Sequence, residues 1–152
     1  MKIGDFLKEN RILLDLKASN KEEAIREIAD SLKDAEEVSN FDLFIADVFE
    51  RETLNSTGIG KNIAIPHART DAVNEFTVAF GRSSAGVEFD SLDAEPAKFI
   101  FLMGTPKEKG LNSYLKILAH LTRIINKKDF QEALLRASSP KEVIEEFKRV
   151  EN

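Results

Sequence analysis

Phe99-Ile100-Phe101-Leu102-Met103 is the stretch on which the fold turns. Five apolar residues, aromatic and β-branched among them, stand in a row. That is far short of the roughly 20 residues a membrane-crossing helix needs and has the composition strands prefer. Working outward, Phe76-Thr77-Val78-Ala79-Phe80 has the same character, and Gly86-Val87-Glu88-Phe89 reads as a further strand on an edge. Upstream, Ile63-Ala64-Ile65 is a short apolar piece stopped by Pro66, behind the turn-forming run Ser56-Thr57-Gly58-Ile59-Gly60-Lys61-Asn62.

Helices flank this block of strands. Residues 11–16, Arg-Ile-Leu-Leu-Asp-Leu, read as a first short strand. Ser19 with Glu22 then makes a capping-box pattern, in which each side chain satisfies a free backbone donor at a helix start. Behind it Ala24, Ile25, Ile28, Ala29 and Leu32 recur at helical spacing. A second helix follows Asn40, with Phe41, Phe44, Ile45, Val48 and Phe49 on one face. In the C-terminal third, Leu111, Leu115, Leu118 and Leu121 with Thr122 and Ile125 form one stripe, and Phe130 with Leu134 a second. Ser139-Pro140-Lys141-Glu142 opens the last helix with a cap, a proline at the first helical position and a capping-box glutamate. The order is strand, two helices, strands, three helices, which predicts an α/β layered domain with a mixed sheet flanked by helices.

At 152 residues the chain has the usual size of one domain, and residues 1–152 show no repeat and no linker. The apolar fraction of 42% and charged fraction of 32% allow a packed core without crosslinks or metals. The absence of cysteine excludes disulfides, a thiol nucleophile and a Cys-based zinc site. A net charge of -5 without a long basic run speaks against nucleic acid as a partner. No segment predicts direct membrane insertion and no signal segment opens the chain, so a cytoplasmic location is expected.

Only two histidines occur, His67 and His120. Pro66 fixes its own φ and keeps Ile65 extended, so the His67 imidazole is presented from stiff backbone. A neutral imidazole has a free lone pair near pH 7 and is a competent nucleophile toward phosphorus. Gly58 and Gly60 would let backbone N–H groups approach a phosphoryl oxygen. Position alone does not decide the matter, because a lone histidine after a strand is more often structural and glycine-asparagine loops are commonly plain turns. His120 shares a helical face with Lys116, Arg123 and Lys127, which predicts solvent exposure. Arg69 and Lys61, near His67, read either as solvated loop charges or as attractors for an acidic partner or a phosphoryl group. Asp71 and Asp90 lack the spacing that would make a metal site with His67, so no metal and no cofactor is expected.

The run from Arg51 to Arg69, Arg-Glu-Thr-Leu-Asn-Ser-Thr-Gly-Ile-Gly-Lys-Asn-Ile-Ala-Ile-Pro-His-Ala-Arg, settles which chemistry to expect. It resembles the active-site signature of the fructose/mannitol-type enzyme IIA family of the bacterial phosphotransferase system, with its Arg-Glu pair, Thr-Gly-Ile-Gly stretch and Ile-Ala-Ile-Pro-His. The likeness extends over essentially the whole chain and covers the nitrogen-regulatory branch about as well as the sugar-transport branch. The resemblance implies a mannitol-type IIA fold and a phosphoryl group carried on Nε2 of His67. That group would be received from the phosphocarrier protein HPr and passed to a IIB component. Arg51 matches the family's active-site arginine, whose guanidinium would pair with phosphoryl oxygens; outside the motif it would read as a helix-end charge. Thr57, Gly58 and Gly60 are the expected phosphoryl-binding loop.

One position departs from the pattern. Aligning Leu115-Lys116-Ile117-Leu118 with the family helix puts Tyr114 where members commonly carry a second histidine. A tyrosine hydroxyl still donates a hydrogen bond but does not become cationic near neutral pH. Tyr114 also fits a core role, one turn before Leu118. Two functions remain open: a phosphoryl carrier for sugar uptake, or a regulatory protein whose binding to targets follows the phosphorylation of His67. A scaffold with lost chemistry is a third, favoured by Tyr114 alone.

Overall fold

The computed structural model describes residues 2–152 and has a mixed six-stranded sheet between two layers of helices. The strands are β1 (Ile12–Leu13), β2 (Gly58–Gly60), β3 (Ile63–Ala64), β4 (His67–Thr70), β5 (Thr77–Val87) and β6 (Ala97–Pro106). The helices are α1 (Lys21–Asp30), α2 (Phe41–Leu54), α3 (Leu111–Ile125), α4 (Lys128–Arg136) and α5 (Pro140–Glu151). Sheet order is β1-β5-β6-β3-β2, with β4 also paired to β6. β5 runs antiparallel to β6, whereas β3 and β4 both run parallel to it.

The unbroken apolar character of β6 has a simple cause: both faces of the sheet are covered. Phe99, Phe101 and Met103 point into a core shared with Phe80, Ile117, Leu121, Phe130, Val143 and Phe147, on the side of α3, α4 and α5. Ile100 and Leu102 point the other way, into a core with Ile25, Ile28, Phe44 and Val48 of α1 and α2. The period-two alternation of a strand sorts the residues between the two cores. The Phe101 ring packs at 4.9 Å, tilted, against Phe80 and at 5.8 Å, edge-on, against Phe147.

β3 and β4 lie on the same edge of β6, Ile63 and Ala64 opposite Phe99 and Ile100, and His67 to Thr70 opposite Met103 to Pro106. Between them stands Pro66, which has no N–H to give a ladder. Its carbonyl accepts from Met103 N at 3.0 Å, and Ile65 N turns away to the carbonyl of Thr57 at 3.0 Å. The proline thus divides one line of strand into two and sets His67 at the start of the second.

Several expectations need correction. The first strand is only Ile12–Leu13, not 11–16, because the Arg82 side chain takes the Leu14 carbonyl at 3.0 Å and also binds the carbonyls of Leu134 and Ala137 at the end of α4. Asn20, not Ser19, caps α1, accepting from Glu23 N at 3.0 Å, because the Ser19 carbonyl is held by Glu88 N. Residues 86–89 are not a separate strand: β5 runs on to Val87 with a register shift after Arg82. Along α3 the inward stripe is Ile117, Leu121, Ile124 and Ile125, at true helical spacing, while Leu111 and Leu115 remain 53% and 49% exposed. His120 is not free in solvent; its Nε2 meets Glu151 Oε2 at 2.6 Å, a carboxylate at the end of α5 that also accepts from the Ile3 and Gly4 amides. Asn40 and Ser139 cap α2 and α5 as read, although the Glu142 carboxylate reaches Ser138 N instead of closing a box on Ser139.

Removing an aromatic that joins β6 to the α3–α5 layer should leave a cavity the sheet cannot close. Phe101→Ala is expected to cost about 3–5 kcal/mol in chemical denaturation. Leu111→Ala, on the exposed flank, should change stability by no more than about 0.5 kcal/mol.

Candidate functional site

The Ile65-Pro66-His67 corner opens into a pocket of about 380 Å³. His67 is only 6% exposed, yet its ring forms part of the pocket wall. Its Nδ1 lies 2.7 Å from the carbonyl of Ile65. A carbonyl can only accept, so Nδ1 carries the hydrogen and the lone pair sits on Nε2. Nε2 has no hydrogen-bond partner among the described residues and is not one of their buried, unpartnered polar atoms; it is therefore reachable through the pocket.

Burial is the largest influence on this imidazole and holds its pKa below the usual histidine range. The Ile65 carbonyl opposes that shift, the Arg51 charge adds to it, and the Glu52 charge opposes it. The ring is therefore neutral at pH 7, with one tautomer fixed.

Three elements supply the rest of the wall. The C-terminal half of α2 brings Asp47, Glu50, Arg51 and Leu54, one helical face at spacings of three and four. β4 brings Ala68 and Arg69, and the chain after β6 brings Lys107, Leu111 and Tyr114. Three cations, Arg51, Arg69 and Lys107, thus face two carboxylates, Asp47 and Glu50. Asp47 accepts from the Thr70 hydroxyl at 2.6 Å. Arg51 gives Nη1 to the Asn55 carbonyl at 2.9 Å and Arg69 gives Nη2 to the Lys107 carbonyl at 3.1 Å, so each guanidinium is tethered at one corner. The Tyr114 ring lies 5.3 Å from the His67 ring, centroid to centroid. Burial raises the Tyr114 pKa despite the charges of Arg51 and Arg69, which leaves its hydroxyl protonated and able to donate at neutral pH.

His67, Arg51, Tyr114 and Arg69 are therefore brought together, and Thr57, Gly58, Gly60 and Lys61 are not. The Thr57 N–H and hydroxyl are bound by the buried Glu52 carboxylate, and Gly58 N by the Ser56 hydroxyl at 3.1 Å. Gly60, at φ +91°, enters a tight hairpin turn in which Lys61 and Asn62 also take positive φ. Lys61 N binds Asp93 at 3.0 Å. These glycines admit close neighbours, but the neighbours are Ser91 and Asp93 of the 91–93 loop, not the pocket. Asp47, Glu50 and Leu54 escaped the sequence reading although their spacing with Arg51 on one helix carried the signal; Lys107 had none, since only strand pairing brings it near β4.

Residues 5–150 match the family model described as "Phosphoenolpyruvate-dependent sugar phosphotransferase system, EIIA 2". The PTS system fructose-specific EIIA component of Haloferax volcanii is 41% identical over 132 residues, 87% of this chain and 85% of that protein. The PTS system fructose-specific EIIABC component of Bacillus subtilis is 34% identical over 145 residues, 95% of this chain but 23% of that longer protein. Among solved structures, the nitrogen regulatory protein IIA-Ntr of Neisseria meningitidis superposes with a TM-score of 0.87 at 32% identity, over 95% of this chain and 98% of that one. The IIA mannitol enzyme of Escherichia coli, solved in complex with phosphorylated IIB mannitol, gives 0.80 at 26% identity over 94% and 97%. Mixed sheet, flanking helices and matched sequence agree: the chain belongs to the EIIA type-2 family of the phosphoenolpyruvate-dependent sugar phosphotransferase system.

Proposed function

We propose that the chain is a phosphoryl carrier with His67 as its acceptor. The observation that carries this reading is the unpartnered Nε2 of a neutral, tautomer-locked imidazole, facing a pocket with two guanidinium groups and a lysine. In the proposed reaction the Nε2 lone pair attacks the phosphorus of a phosphohistidine on HPr. The donor's N–P bond breaks, its imidazole takes back the electron pair, and one N–P bond replaces another. Such an exchange is close to balanced, so the protein's contribution is positioning and charge stabilisation. Arg51 is the proposed phosphoryl clamp, with Arg69 and the Tyr114 hydroxyl as further donors. Thr57, Gly58 and Gly60 act as structural support for the His67 segment and not as phosphoryl ligands.

Discharge to a IIB component is the second half of the proposal, supported by the likeness to a IIA protein solved with its phosphorylated IIB partner. A cytoplasmic location follows from those partners, and among the described residues no helix is long and apolar enough to cross a membrane. A regulatory role is the second reading, favoured by the overlay on a nitrogen regulatory protein and by a tyrosine where a second histidine is common. There the two added charges of phospho-His67 would alter a protein contact surface.

With phosphoenolpyruvate, enzyme I and HPr, the wild type should gain a single phosphoryl group by intact mass and His67→Ala none; labelling of the variant would move the acceptor elsewhere. Rapid loss of the label to added IIB marks the carrier, and a persistent phosphoprotein the regulator. Arg51→Ala should slow phosphorylation by on the order of 10²-fold, with Arg51→Lys recovering only part because it lacks the planar fork.

The rate should stay level through pH 7 and fall only below the ordinary imidazole pKa of about 6.5, since His67 is held neutral by burial and by Arg51. Arg51→Ala removes a charge that lowers this pKa, so its fall should begin at higher pH.

A further inference from the structure

Glu52 stands next to Arg51 in the sequence but points away from the pocket, into the protein, where it is 8% exposed. A carboxylate so placed is costly unless it is paired. It is held on two sides. Lys21, at the start of α1, approaches its Oε2 at 3.0 Å, and Thr57 binds it with both its N–H, at 3.2 Å, and its hydroxyl.

Thr57 is in turn gripped by its carbonyl, which accepts from Ile65 N at 3.0 Å. Ile65 then presents its own carbonyl to His67 Nδ1 at 2.7 Å. Four consecutive links therefore run from the half-buried Lys21 of α1, through the buried Glu52 of α2, to the ring nitrogen opposite the one proposed to react. Pro66 adds only its carbonyl, which accepts from Met103 N, so the Ile65 N–H is the amide that ties the corner to Thr57.

We propose that Glu52 is a positioning residue for His67: its carboxylate, neutralised by Lys21, fixes Thr57 and through it the Ile65 carbonyl that locks the imidazole with Nε2 facing the pocket. The proposal rests on the reading of His67 as the phosphoryl acceptor for its catalytic consequence, but not for its structural content. Adjacent residues at the end of α2 divide the work. Arg51 faces the incoming group and Glu52 sets the nucleophile that meets it. Replacing the carboxylate frees Thr57, loosens the Ile65 carbonyl and lets the ring exchange tautomers, so that a fraction of molecules offer Nε2–H, which has no lone pair to attack with.

The test is ¹⁵N spectroscopy of the His67 ring in the unphosphorylated full chain, together with phosphorylation kinetics. Wild type should show the Nδ1–H tautomer. Glu52→Ala should show a mixture, with phosphorylation slowed on the order of 10- to 100-fold. Glu52→Gln keeps an oxygen for Thr57 and should fall between the two, and it serves as the decisive variant if Glu52→Ala does not fold. Glu37→Gln is the control. It breaks another buried carboxylate pair, with Arg11, lowers the melting temperature, and should leave the His67 signals where they were. A wild-type tautomer in folded Glu52 variants, or an equal change in Glu37→Gln, would overturn the proposal. The ring spectrum needs no phosphoryl donor, so it is read even if His67 proves not to be the acceptor; in that event only the rate measurement is lost.

Discussion

The hydrogen bond between His67 Nδ1 and the Ile65 carbonyl is the constraint around which the site is arranged. It exists because Pro66 interrupts the line of strand along β6. An amide at that position would continue the ladder and carry the Ile65 carbonyl with it. Instead the Ile65 N–H is satisfied by Thr57 and the Pro66 carbonyl by Met103, and the Ile65 carbonyl is left for the imidazole. Each backbone group at the break has a partner, which buried backbone requires. The interruption is therefore compatible with a packed sheet and fixes a ring orientation at the same time.

The electrostatics of the pocket follow from that orientation. Burial keeps His67 neutral, and a neutral ring in a low-dielectric wall tolerates the neighbouring guanidinium groups without repulsion. The same cations would compensate the charge of a phosphoryl group held on Nε2, which is the arrangement a reversible carrier needs: neither state leaves a large uncompensated charge in a desolvated place. Asp47 and Glu50 offset part of the positive charge of Arg51, Arg69 and Lys107 in the pocket wall. Tyr114 enters this scheme as a donor without charge, since burial raises its pKa away from neutrality. A cationic histidine there would add attraction for the phosphoryl group; the tyrosine offers directionality only.

The family contains both sugar-specific components and nitrogen regulatory proteins. Likeness to a fructose-specific component and to a nitrogen regulatory protein is of comparable strength. Leu54, at 71% exposure, and Leu111 rim the opening of the pocket and give the surface around it an apolar component.

Local chemistry was readable wherever it depends on residues close in the chain. Apolar runs of strand composition marked β5 and β6, helical spacing marked the buried faces of α1 and α2, side-chain caps announced α2 and α5, and the run from Arg51 to His67 named the family. What sequence could not supply was which distant group each residue would meet. The Gly58 and Gly60 loop looked like a phosphoryl cradle, but the Gly58 amide is taken by the Ser56 hydroxyl, the Lys61 amide by Asp93, and the open sides of both glycines face Ser91 and Asp93. Leu111 and Leu115 looked like core until the packing angle of α3 left them on its outer flank. Arg82 cut the first strand short by reaching across to carbonyls of α4, and Glu151 drew His120 out of solvent. Spacing along a chain fixes which side chains share a face, because backbone geometry is periodic; what that face touches depends on how elements far apart in the chain pack, and only the tertiary structure decides it.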